Sequence, residues 1–282
     1  VRAAKERALL LLLLLHANEV VSAERLIDEL WGERPPESAA NVLQTYVSHL
    51  RRLLEPGSRP RENGLIVTRS PGYLLRLAPG QLDLHRFDAL VAEARSSADP
   101  AAALAKLREA LALWRGPPLP EFAFEGFAQS EIARLEELRL TALEERIALE
   151  LELVPNGELV GELEALVAVH PLRERLRGQL MLALYRSGRQ AEALDAYQRT
   201  RRTLVDELGI EPGQALQQLE AQILNQDRAL DRQTPAGRPS LLPRTRRLRA
   251  AVLAACALAL AIAIAFILSR GRGSQALPAN AV

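Results

Sequence analysis

The stretch PPESAANVLQTYVSHLRRLL, residues 35–54, decides the architecture, because its helical pattern divides into a face that packs and a face that can touch another molecule. At about 100° per residue, Leu43, Tyr46, Val47, Leu50 and Leu54 fall on one arc. Opposite them lie Asn41, Thr45, Ser48 and Arg52, with Gln44 and Arg51 on one flank and His49 on the other. That second face carries amides, hydroxyls and guanidinium groups but no carboxylate. A plain solvated face would mix Glu with its Lys and Arg, whereas side chains of this kind bond phosphate oxygens and base edges. Two readings fit the helix alone, one that enters a DNA groove and one that is an amphipathic surface helix.

The flanking segments favour the first. Downstream, residues 65–77 (LIVTRSPGYLLRL) form two short β-prone runs around Ser70-Pro71-Gly72, a hairpin signal. Upstream, residues 22–32 (SAERLIDELWG) read as a short helix with a Ser N-cap and a Gly stop. Helix, helix, hairpin is the order of a winged helix-turn-helix. The segments VVSAERLIDELWG, NVLQTYVSHLRRLL and RSPGYLL resemble the OmpR/PhoB-type winged helix in the version found in the Streptomyces antibiotic regulatory protein (SARP) family. Carried over by position, the resemblance implies that Asn41, Gln44, Thr45, Ser48, His49 and Arg51 face DNA in the major groove and that Arg69 at the wing tip reaches the minor groove. Arg52 joins them from the helical pattern. Ser48 and His49 depart from the family pattern, standing where relatives often carry Arg; fewer charged contacts mean weaker phosphate neutralisation and a greater need for a dimer.

A chain of 282 residues with 48% hydrophobic content can build two cores, and its low aromatic content, 4%, suits helical repeats. One cysteine excludes a disulfide framework and a multi-cysteine zinc site. There is no P-loop, GxGxxG, HExxH or GxSxG, and the four histidines lie far apart. The chain therefore reads as a non-enzyme without metal or cofactor. Its net charge of +1 conceals three zones. Residues 1–78 hold 11 Lys+Arg against 9 Asp+Glu, residues 79–230 hold 17 against 25, and residues 231–282 hold 8 against 1. An acidic middle is repelled by DNA and suits protein contact, whereas a basic end beside an apolar run suits a membrane surface.

Seven consecutive leucines, residues 9–15, follow Arg2, Lys5 and Arg7 in the manner of a signal peptide. No small-residue cleavage pattern follows them, and the chain runs straight into the next helix, so they read as the buried first helix of the winged domain. The family fold carries a small β-sheet before this helix. With the sequence starting at the helix itself, part of residues 9–15 is expected to lie uncovered.

After a Pro-Gly linker at residues 78–81, the pattern is helix after helix: 83–96, 100–114, 126–153, 157–170, 172–187, 190–208 and 212–227. Around residues 183–197 (ALYRSGRQAEALDAY) the small/large alternation and mid-turn Gly188 are those of a tetratricopeptide (TPR) hairpin, which must stack on neighbouring pairs to bury its faces. LALWRGPPLPEF, FEGFAQSEIARLEELRLTALEERI and LVDELGIEPGQALQQLEAQIL resemble the bacterial transcriptional activator domain (BTAD), the TPR-like module that follows the winged helix in the SARP family. His85, His170 and Trp114 read as packing or cap residues rather than ligands.

Residues 231–249 form a Pro- and Arg-rich basic linker. Residues 250–269 then run for 20 positions without a charge, matching the ~20 needed to span ~30 Å of hydrocarbon. Five arginines from Arg238 onward precede the run and Arg270 and Arg272 follow it, a bias that keeps the N-terminal domains cytoplasmic if the run spans the cell membrane.

The expected fold is mainly α: a winged helix-turn-helix at 1–78 without its N-terminal sheet, a TPR-like domain at 82–230, the linker, one transmembrane helix and a short tail at 270–282. The expected function is a membrane-anchored regulator of transcription. Its partners would be double-stranded DNA for the winged helix, and RNA polymerase, another regulatory protein or a second copy in a homodimer for the TPR-like domain. The alternative is a membrane-tethered interaction scaffold whose shortened winged helix no longer binds DNA.

Overall fold

The computed structural model describes residues 4–56, 64–153 and 157–231. The apolar run 250–269, the tail and all of the basic linker beyond Asp231 lie outside them. Among the described residues, no helix is long and apolar enough to cross a membrane.

The winged part is built as α1 (Ala4–Leu15), β1 (Val20–Ser22), α2 (Ala23–Trp31), α3 (Ala39–Leu54), β2 (Ile66–Arg69) and β3 (Gly72–Leu75). Local chemistry sets the bounds of α2. The Ser22 hydroxyl accepts a hydrogen bond from the Arg25 amide at 3.1 Å, and Gly32, at φ 59°, ends the helix in a conformation other residues resist. The strands form one antiparallel sheet in the order β1-β3-β2, with Val21 opposite Tyr73 and Val67 opposite Leu74. Asn18, at φ 68°, fastens the sheet to the end of α1: its side-chain amide exchanges hydrogen bonds with the Leu77 backbone, and its own N–H donates to the Leu75 carbonyl. Leu9, Leu13, Leu26, Leu30, Leu43 and Leu50 meet beneath the sheet, each fully buried. At roughly 1.5–3 kcal/mol per fully buried side chain, these leucines dominate the stability of this part.

The helical part comprises α4 (Asp83–Ser96), α5 (Pro100–Ala112), α6 (Gly126–Leu153), α7 (Gly157–Val169), α8 (Glu174–Arg186), α9 (Gln190–Leu208) and α10 (Gln214–Leu224). Asp99 caps α5 by accepting the Ala101 amide, with Pro100 in the first turn, where its missing N–H is harmless. Gly188, at φ 77°, turns α8 into α9, and Gly209, at φ 68°, ends α9. The α8–α9 contact rests on Ala183, Ala193 and Ala196, all buried, whose small side chains let the helices close up around Leu180, Leu184 and Tyr197.

Helix α6, 28 residues and about 42 Å long, joins the three cores. Phe127 packs on the winged core, together with Phe122 of the preceding turn. Ala142 belongs to the α4–α5 core, and Leu140, Ile147 and Leu151 belong to the core of α7 to α10. The winged and helical parts thus form one compact unit.

The leucine run is better covered than its position at the start of the chain suggests. Leu9, Leu11, Leu12 and Leu13 are buried. Leu14 and Leu15 are half-buried and, with Leu11, line a largely apolar cavity of about 500 Å³ whose far wall is Leu84, Phe87, Trp114 and Pro118 of the helical part. The helical part therefore takes up much of the apolar surface that a preceding sheet would cover. Leu54, assigned by periodicity to the packing arc, is instead exposed beside the exposed Leu53, because the core under α3 ends at Leu50.

Candidate nucleic-acid interface

Helix α3 is held from three sides. Leu43, Val47 and Leu50 enter the core, and Tyr46 stacks on Trp31 of α2 with ring centroids 6.2 Å apart and planes 16° from parallel. On the flank toward the sheet, Arg51 donates from Nε to the Ile66 carbonyl at 2.9 Å and from Nη2 to the Thr68 hydroxyl at 2.8 Å. On the other flank, His49 Nδ1 lies 2.8 Å from the Glu6 carboxylate of α1, which is almost wholly buried. The helix is about 24 Å long and has no acidic residue. Arg51 and Arg52 fall in its last turn, where the helix dipole favours cations.

The sequence-assigned residues separate into two groups. Asn41, Gln44, Thr45, Ser48 and Arg52 lie exposed along α3, and Arg69 lies exposed at the end of β2, where the wing turns. The Thr45 hydroxyl donates to the Asn41 carbonyl at 2.9 Å and the Ser48 hydroxyl to the Gln44 carbonyl at 2.8 Å, so each presents oxygen lone pairs outward and must rotate to donate. His49 and Arg51 form the second group, bonded back onto the protein. Arg51 ties the recognition helix to the wing, and His49 ties it to α1. Both orient the exposed face through their neighbours. Helical periodicity missed Glu6, Thr68 and Ile66, the residues that receive these bonds. A lone carboxylate opening an otherwise apolar helix was the one sequence sign of Glu6.

The electrostatics of the two parts differ. Among the described residues, neither Arg52 nor Arg69 has a carboxylate within ion-pair distance. In the helical part, arginines bridge helices through glutamates. Arg173 donates to Glu144, a nearly buried carboxylate on α6, at 2.7 Å and also pairs with Glu137 at 2.7 Å; these bonds hold the guanidinium above the usual arginine range. Glu150 receives both Arg108 of α5 and Arg146 at 2.7 Å. Trp114 packs edge-on against Phe87 with centroids 5.5 Å apart and lies under Arg139, His170 bridges the α7–α8 turn through its backbone, and His85 is exposed on α4. No group of three or more potential metal-ligating side chains forms among the described residues.

Two family models match the chain: "Transcriptional regulatory protein, C terminal" over residues 2–75 and "Bacterial transcriptional activator domain" over residues 82–224. The regulatory protein AfsR of Streptomyces coelicolor is 46% identical over 253 residues, covering 86% of this chain but 25% of that protein. The regulatory protein DnrI of Streptomyces peucetius is 41% identical over 240 residues, covering 83% of this chain and 88% of its own. A solved structure of Mycobacterium tuberculosis EmbR in complex with a low-affinity phosphopeptide superposes with a TM-score of 0.75 at 37% identity, covering 79% of this chain and 60% of that one. These relatives are regulatory proteins rather than enzymes. With both domain models matched in series and DnrI similar over most of its length, the chain belongs to the SARP-type family of bacterial transcriptional regulators, which joins an OmpR/PhoB-like winged helix to a bacterial transcriptional activator domain.

Proposed function

We propose that this chain is a membrane-anchored regulator that binds promoter DNA through α3 and the wing. The observation that carries the DNA-binding part is the exposed, acid-free face of α3, fixed to the sheet by Arg51 and to α1 by Glu6. Asn41, Gln44, Thr45 and Ser48 address base edges and phosphates in the major groove, Arg52 neutralises a phosphate, and Arg69 reaches the adjacent minor groove. His49 and Arg51 act chiefly by holding the helix in register, each keeping a ring or guanidinium nitrogen for a DNA contact. The helical part makes protein contacts, with a second copy or with the transcription machinery, in keeping with its excess of acidic residues.

The anchor rests on the uncharged run at 250–269 and the arginines around it. The 19 residues of the linker at 231–249 give an r.m.s. span of about 25 Å, which holds the DNA-binding part near the bilayer without fixing its orientation. Fractionation of cells expressing the 282-residue chain tests the anchor. Recovery with the membranes, with the N-terminal part protected from protease added outside, is expected; recovery in the soluble fraction removes the anchor.

A second reading, a tethered scaffold without DNA binding, is favoured by one observation: two of the assigned contact residues, His49 and Arg51, are bonded to the protein. A shift of the chain's own promoter DNA at low salt excludes it.

A further inference from the structure

Helices α7, α8 and α9 enclose a groove of about 410 Å³, within the ~300–1,000 Å³ typical of ligand sites. Its floor is formed by buried Arg177, Leu180, Ala196 and Thr200; Glu164 and Ala168 on α7 and Arg199 on α9 stand exposed on its rims. Arg177 differs from the other buried or bridging arginines of this part. Its Nε donates to the Pro171 carbonyl at 2.7 Å and its Nη1 to the Thr200 hydroxyl at 3.0 Å, both neutral acceptors. No carboxylate among the described residues lies within ion-pair distance of it, although glutamates serve nearly every comparable arginine nearby. Thr200 passes its own proton to the Ala196 carbonyl, so it holds its oxygen toward Arg177 and adds no negative charge. Burial pushes the Arg177 guanidinium below the usual arginine range, the like charge of Arg199 adds to the shift, and Glu207 opposes it. A cation that is desolvated and unpaired is costly unless an anion completes it.

We propose that this groove is a docking site for a partner protein segment carrying an Asp or Glu side chain flanked by apolar residues, with Arg177 as the receptor for its carboxylate. The depth of Arg177 admits only a group projecting on a side chain, and Leu180 and Ala196 beside it accept the apolar neighbours. Glu164 on one rim, together with the acidic balance of residues 79–230, disfavours a nucleic-acid backbone. This deepens the reading of the helical part as a protein-contact module, and peptide binding is measured apart from DNA binding, so either can fail alone.

The test selects ligands for the 282-residue chain, in detergent micelles, from a random heptapeptide library acetylated and amidated at its ends. One enriched peptide, fluorescently labelled, is then titrated. Enrichment of Asp or Glu between apolar residues is expected. Replacing that acid by its amide, or Arg177→Gln in the protein, should each weaken binding ~tenfold or more, and the two together should cost little beyond either alone. Ala168→Trp narrows the groove from an exposed rim position without touching Arg177; it should leave the melting temperature unchanged and also lower affinity ~tenfold, a readout that survives if the Arg177 variant misfolds. Selection without an acid preference, binding unaffected by Ala168→Trp, or displacement of the peptide by inorganic phosphate or by duplex DNA at matched concentration would overturn the proposal.

Discussion

The winged and helical parts use arginine in opposite ways. In the helical part, arginines end on glutamates of neighbouring helices: Arg95 on Glu145, Arg108 and Arg146 on Glu150, Arg173 on Glu144 and Arg201 on Glu211. The charge of this surface is largely neutralised within the fold, and its acidic excess faces outward. On the recognition face, Arg51 is satisfied by a carbonyl and a hydroxyl, while Arg52 and Arg69 project without a carboxylate partner among the described residues. Positive charge that is not cancelled at home is available to a polyanion, which is why the smaller part is the one assigned to DNA.

That contrast can be broken by removing what gives each part its shape. Gly72 lies buried in the central strand, where an added Cβ would overlap the Val21 carbonyl oxygen and approach Ser22 Cα to 2.7 Å. Gly72→Ala should push β1 from β3 and destabilise the winged part by about 3 kcal/mol or more, read as a lowered or split thermal transition. Ala193→Leu, at the closest approach of α8 and α9, should cost ~1–3 kcal/mol and leave the intrinsic geometry of α3 untouched; melting like the parent would contradict the tight pairing of those helices.

The alternation that defines α3 was legible because it is local: Leu43, Val47 and Leu50 recur at helical spacing, and Ser22 and Gly32 announce the ends of α2. The bounds of the helices at 83–96, 126–153 and 190–208 follow from the same periodicity with turn residues on either side. What local pattern does not carry is partner choice across the fold. Strand β1 has three residues and exists by pairing with β3, more than fifty positions away. Glu6 reaches His49 over 43 positions, and Arg51 turns to the wing instead of outward because the Ile66 carbonyl and the Thr68 hydroxyl lie within its reach. The exposure of Leu54 has the same origin, since periodicity fixes a direction around the helix but not where the core beneath it stops.

Smaller effects sharpen the comparison further. Arg51→Ala removes two hydrogen bonds between α3 and β2, so it should cost about 1 kcal/mol or more in stability and weaken DNA binding at the same time. Arg51→Lys should not restore the parent, because an ammonium cannot reproduce the fork that serves both acceptors. Arg52→Ala and Arg69→Ala should each change stability by no more than ~0.5 kcal/mol, as exposed positions do, so that any loss of DNA affinity in them reports on contact alone. A drop in melting temperature for these two as large as that for Arg51→Ala would erase the distinction between contact and positioning residues.

The most direct test of the central claim is the salt dependence of binding between the 282-residue chain and its own promoter DNA, measured by fluorescence anisotropy for the parent and for Arg52→Ala with Arg69→Ala. The parent should bind at low salt, with affinity falling linearly on a log–log scale as salt rises. The double variant should bind more weakly, with a slope shallower by about two units, near one for each lost phosphate contact. Absence of parental binding at low salt, or a double variant with the parent's affinity and slope, would contradict the assignment of the α3 face and the wing to DNA.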